Sequence, residues 1–62
     1  MDDFLTTKQV ADYLHVTEKT VRDLIARKEI EAYRIGRAWR IKKIHLDEYI
    51  KQQSNLNGKE DN

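Results

Sequence analysis

Nine basic side chains fall within residues 19–43: Lys19, Arg22, Arg27, Lys28, Arg34, Arg37, Arg40, Lys42 and Lys43. Only Asp23, Glu29 and Glu31 oppose them there, so this stretch carries a net charge of +6. Residues 1–18 sum to −3 and residues 44–62 to −2, leaving the 62-residue chain at +1. The overall balance says nothing about partners. Its distribution does, because a concentrated positive field suits a face that meets phosphates. A solvated charged surface has the same composition, so charge alone leaves both readings open.

Other chemistries have little to work with. His15 and His45 stand without a cysteine or a spaced carboxylate pair, so no metal site is expected. There is no serine–histidine–acid set, no glycine-rich loop to cradle phosphates and no H-E-x-x-H pattern. A core of this size also leaves little room for a closed catalytic pocket. No catalytic residue and no cofactor are expected, and the chain is read as non-enzymatic.

The basic residues need elements to hold them, and the sequence marks these. Thr6 with Gln9 three residues on has the spacing of a reciprocal capping box. Val10, Ala11 and Leu14 then form the apolar face of a first helix, with Tyr13 beside it. After His15 and Val16, Thr17 is a second N-cap candidate. Val21, Leu24 and Ile25 repeat the i, i+3, i+4 stripe, and Lys19, Arg22, Asp23 and Ala26 fall on the opposite side. Two short helices joined so tightly predict a helix-turn-helix, whose second helix can enter a major groove.

Beyond Ile30 the pattern becomes β-prone. Ala32-Tyr33-Arg34-Ile35 and Ala38-Trp39-Arg40-Ile41 flank Gly36-Arg37, and glycine at the first central position suits a type II′ hairpin. Arg34, Arg37 and Arg40 recur every third residue, so a regular hairpin cannot aim all three to one face. A third helix is predicted from near Lys43 to about Gln53 on the spacing of Leu46, Tyr49 and Ile50. Residues 1–53 thus form one domain, and the polar, turn-rich residues 54–62 read as a disordered tail. The fold class is α+β, mostly helical, in the order helix, turn, helix, hairpin wing, helix. Apolar runs are too short for a membrane span, and the acidic start Met1-Asp2-Asp3 argues against a secretory signal. With no cysteine, composition is compatible with a reducing cytoplasm, where the chain is expected.

Three stretches resemble the excisionase family. Leu5-Thr6-Thr7-Lys8-Gln9-Val10-Ala11-Asp12-Tyr13-Leu14 is similar to its opening L-T-x-x-E/Q-A/V-A-x-x-L. Val16-Thr17-Glu18-Lys19-Thr20-Val21-Arg22-Asp23-Leu24-Ile25 resembles its V-S-x-x-T-V-x-x-L-I. Ala32-Tyr33-Arg34-Ile35-Gly36-Arg37-Ala38-Trp39-Arg40-Ile41 looks like its wing, A-x-R-I-G-R-x-W-R-I. The resemblance covers residues 5–50, about three quarters of the chain. Any one motif is weak, whereas all three in order are specific. Lys28 stands where a helix-ending glycine is common, Glu31 where a proline often precedes the wing, and Ile44 where polar residues are usual. Lys28 must therefore either turn left-handed or let the helix end differently. Ile44 is open to two readings, an extension of the core or an exposed contact for a neighbouring copy.

The resemblance implies a MerR-like winged helix that binds double-stranded DNA, either as a recombination directionality factor or as a small transcription regulator. It places the second helix in the major groove and the Arg34–Arg40 hairpin on phosphates or the adjacent minor groove. An integrase or recombinase, or neighbouring copies on the DNA, are the further partners it implies.

Within that frame Lys19 and Arg22 are the preferred base or phosphate contacts, since arginine can pair bidentately with guanine. Thr17 serves first as a cap and can still sit beside a phosphate; Thr20 is a contact candidate. Asp23 can accept from a cytosine amino group, but steering an arginine by a weak surface pair is favoured. Arg27 lies toward the helix flank. Arg37 at the tip and Arg40 beside Trp39 are expected on phosphates or in the minor groove. Trp39 is read as a core anchor rather than a stacking platform; Tyr33 is open between the same two roles. Lys42 and Lys43 are equally open to phosphate contact and simple solvation. A different class of function remains, an adaptor for an integrase or polymerase subunit, in which Ile44, Leu56 and the acidic tail outweigh Arg22.

Overall fold

The computed structural model describes the backbone of residues 4–61 and the side chains of residues 4–53. The elements run β1 (Phe4–Thr6), α1 (Thr7–Leu14), α2 (Glu18–Ala26), β2 (Tyr33–Ile35), β3 (Ala38–Lys42) and α3 (Lys43–Asp61). Together they form the expected α+β winged helix-turn-helix, with three helices and a three-stranded antiparallel sheet.

Local chemistry accounts for where α1 and α2 begin. Thr6 Oγ1 accepts from the Gln9 amide at 3.0 Å, and Gln9 Oε1 accepts from the Thr6 amide at 2.9 Å. This is the capping box that the spacing predicts. Thr17 Oγ1 accepts from the Thr20 amide at 3.1 Å and so caps α2.

Both helices also end alike. His15 has φ 61° and Lys28 has φ 64°, the left-handed region that glycine usually fills. Val16 N–H donates to Ala11 O at 3.0 Å and His15 N–H to Asp12 O at 3.3 Å. Glu29 N–H donates to Leu24 O at 2.9 Å and Lys28 N–H to Ile25 O at 3.0 Å. Each pair of bonds is a Schellman motif. Lys28 therefore takes the first of its two alternatives, the left-handed turn.

The sheet order is β1-β3-β2, with β3 in the centre. β1 was not expected: three residues are too few to show alternation, and the partner strand lies far along the chain. It pairs with β3 in the register Leu5↔Ile41 and Thr6↔Arg40. β2 pairs with β3 as Tyr33↔Arg40, Arg34↔Trp39 and Ile35↔Ala38. Gly36 has φ 65° while Arg37 has none of the positive φ values, the sign pattern of the expected type II′ turn.

The core collects Val10 and Ala11 of α1, Val21, Leu24 and Ile25 of α2, Ile30 of the following loop, Ile41 of β3 and Leu46 of α3. Leu5, Leu14, Ala32, Trp39, Tyr49 and Ile50 pack around it. Helix periodicity identifies most of these positions. Ile30 and Ile41 are buried just as completely, but they lie outside any helical stripe. Trp39 is half-buried against the core, as expected of an anchor. Ile44 is 59% exposed, so it does not extend the core. α3 starts at Lys43 as predicted and its backbone continues past Gln53 to Asp61. Side chains from residue 54 onward, where the tail was expected, lie outside the described residues.

Candidate nucleic-acid interface

The cations of α2 are engaged with neighbours one helical turn away. Lys19 Nζ lies 3.2 Å from Asp23 Oδ2, and Arg22 Nη1 lies 3.9 Å from Glu18 Oε1. Asp23 was expected to steer an arginine; its partner is Lys19, because i, i+4 spacing puts those two side chains side by side. At the end of α2, Arg27 Nε lies 3.5 Å from Glu29 Oε2. All these groups are roughly half exposed or more, so the pairs are weak and readily exchanged for phosphates. The Thr17 and Thr20 hydroxyls sit 3.0 Å apart, joined to one another at the start of the helix.

The wing differs. Among the described residues, Arg34, Arg37, Arg40 and Lys42 lie within salt-bridge distance of no acidic side chain. Arg34 and Arg40 point to opposite faces of the hairpin, because Arg34 opposes Trp39 and Arg40 opposes Tyr33. The Arg34 guanidinium covers the Trp39 ring at 5.2 Å. On the other face, Lys42 Nζ stands 5.5 Å from the Tyr33 ring, which also meets Phe4 edge-on with centroids 6.0 Å apart. Tyr33 thus serves the exposed side of the sheet and not the core. Lys43 is engaged with Asp47 at 3.3 Å in the first turn of α3.

Helix and wing meet at an open cleft of about 470 Å³. Arg22 enters it from α2, Arg37, Trp39 and Arg40 from the hairpin, and Thr6, Thr7 and Lys8 from the start of α1. Of the basic side chains anticipated from the sequence, Arg22, Arg37 and Arg40 are brought together here. Lys19, Arg27, Arg34, Lys42 and Lys43 do not line this cleft. Sequence reasoning missed Thr6, Thr7, Lys8 and Glu18 as its other walls. Nothing local signals them: the register Thr6↔Arg40 is what sets the first turn of α1 beside the wing.

His45 Nε2 lies 3.6 Å from Glu31 Oε1, and its half-buried ring tilts against Tyr33. No group of three or more metal-ligating side chains occurs among the described residues. No helix among them is long and apolar enough to cross a membrane.

A capped second helix with a polar outer face, a tight turn before it and a cationic wing beside it define a DNA-binding winged helix-turn-helix protein, whose partner is double-stranded DNA. Residues 4–54 match the model of a family described as the helix-turn-helix domain, and the chain belongs to that family. No curated protein and no solved structure matches the chain.

Proposed function

We propose that this protein binds double-stranded DNA sequence-specifically as an excisionase-type accessory factor, with α2 in the major groove and the wing on the adjacent backbone or minor groove. The observation that carries the reading is the convergence of Arg22, Arg37 and Arg40 on one open cleft from elements remote in sequence. A solvated charged surface has no need of such convergence. In this reading Lys19 and Thr20 face base edges with Asp23 steering Lys19, while Thr17, Arg22, Arg37 and Arg40 take phosphates. Arg27, Arg34, Lys42 and Lys43 flank that contact, and the work is done on DNA in the cytoplasm, without catalysis.

A single module of this kind buries only about 600–1,000 Å² on DNA, so useful affinity calls for several copies or a partner such as an integrase. If five or six phosphates are neutralised, log affinity falls against log salt with a slope of roughly −5. A flat salt response removes the DNA reading. The recombination role rests on the three motif resemblances. Its test is an excision assay with a cognate integrase: stimulation supports it, whereas repression of a neighbouring promoter without stimulation assigns the protein to transcription.

A further inference from the structure

Among the described residues, Glu18 is the one acidic side chain lining the cleft between α2 and the wing. Its Oε1 accepts from Thr7 Oγ1 at 3.2 Å and lies 3.9 Å from Arg22 Nη1. A hydroxyl and a guanidinium, with Lys8, Arg37 and Arg40 around the same opening, are the partners a phosphodiester oxygen takes.

We propose that the cleft seats a single backbone phosphate and that Glu18 is an internal substitute for it, engaging Arg22 and Thr7 until DNA displaces it. This rests on the DNA-binding reading above. The substitute is weakly held, because the Arg22 and Glu18 side chains are 53% and 46% exposed and separated by more than hydrogen-bond distance. A phosphate met by Arg37 and Arg40 as well outcompetes it. The displaced carboxylate remains tethered near the incoming charge and opposes it. Glu18 therefore lowers affinity for every duplex alike, since phosphates carry no sequence information.

The test is a double-mutant cycle, read by fluorescence anisotropy with a random-sequence duplex at several salt concentrations. Glu18→Gln keeps an acceptor for the Thr7 hydroxyl and removes the charge; Glu18→Ala is a second variant expected to act in the same direction. Glu29→Gln is the charge-matched control, since Glu29 pairs with Arg27 at the opposite end of α2. Glu18→Gln is expected to tighten binding roughly threefold to tenfold at low salt, and Glu29→Gln by less than about twofold. In an Arg22→Ala background the gain from Glu18→Gln is expected to shrink, because only the direct repulsion between the carboxylate and the phosphate is then relieved. Unchanged or weaker binding by both Glu18 variants overturns the proposal, as does a gain that persists undiminished without Arg22. Failure of the unmodified protein to bind any duplex is a different result, and it removes the DNA-binding reading itself.

Discussion

Arg34 and Trp39 are directly opposed across the hairpin, and the guanidinium of one lies 5.2 Å over the ring of the other. The stack pins a cation of the wing to the core side of the sheet, whereas Arg37 at the turn has no such hold. Two arginines three residues apart thus have different duties. Arg34→Ala is expected to cost about 0.5–1 kcal/mol of stability through the lost cation–π contact. Arg37→Ala is expected to leave thermal unfolding unchanged, weaken DNA binding and make the salt slope shallower by about one. Circular dichroism melts beside binding isotherms separate the two; equal loss of stability in both variants refutes the distinction.

The left-handed residues His15 and Lys28 make a prediction about stability alone. A side chain in that region costs roughly 1–2 kcal/mol, offset in part by the unfolded-state entropy that glycine adds. Lys28→Gly is therefore expected to stabilise the fold by about 0.5–1 kcal/mol, raising Tm by roughly 4–8 °C per kcal/mol. Thermal unfolding checks it, and a Tm that stays or drops would show that Lys28 is held by contacts outweighing its strain.

Lys19 and Asp23 form an exposed pair one turn apart, so neither supports the fold appreciably. Lys19→Ala is expected to change stability by less than about 0.5 kcal/mol. If Lys19 reads a base edge, the same variant relaxes preference at one position of the site by about 1–3 kcal/mol. Selection of bound sequences from a random pool, run for both proteins, measures this. Identical selected sites would take Lys19 off the bases.

Ile41 is fully buried in the central strand between the helices and the sheet. Ile41→Ala is expected to cost about 2–5 kcal/mol and Ile41→Val about 0.5–1.5 kcal/mol. A domain of 62 residues has only about 3–9 kcal/mol in total, so the alanine variant stands near the edge of folding. Urea titration gives both values. A loss below about 1 kcal/mol for alanine would place Ile41 outside the core.

Short-range signals were enough to locate the two helices of the DNA-binding unit. Thr6 with Gln9, and Thr17 at the head of α2, satisfy amides within three residues of themselves, so spacing alone marks them. The apolar stripe of Val21, Leu24 and Ile25 and the turn at Gly36 are equally local. The partner of Asp23 was also within reach of spacing, which favours Lys19 one turn back. β1, the complete burial of Ile30 and Ile41, the Arg34–Trp39 stack and the place of Glu18 among the arginines were not legible in this way. Each depends on residues that meet only after the chain has folded back.

The sequence by itself determined where cations concentrate, which residues cap the helices and where the wing turns, because those properties are set by side-chain type and by neighbours a few positions away. Only the tertiary structure decided which cations share a site. The antiparallel register of Thr6 with Arg40 carries the head of α1 to the wing, and packing of α1 on α2 brings Arg22 and Glu18 to the same opening. Register is a long-range choice made by burying Leu5 and Ile41 together, and no local preference encodes it.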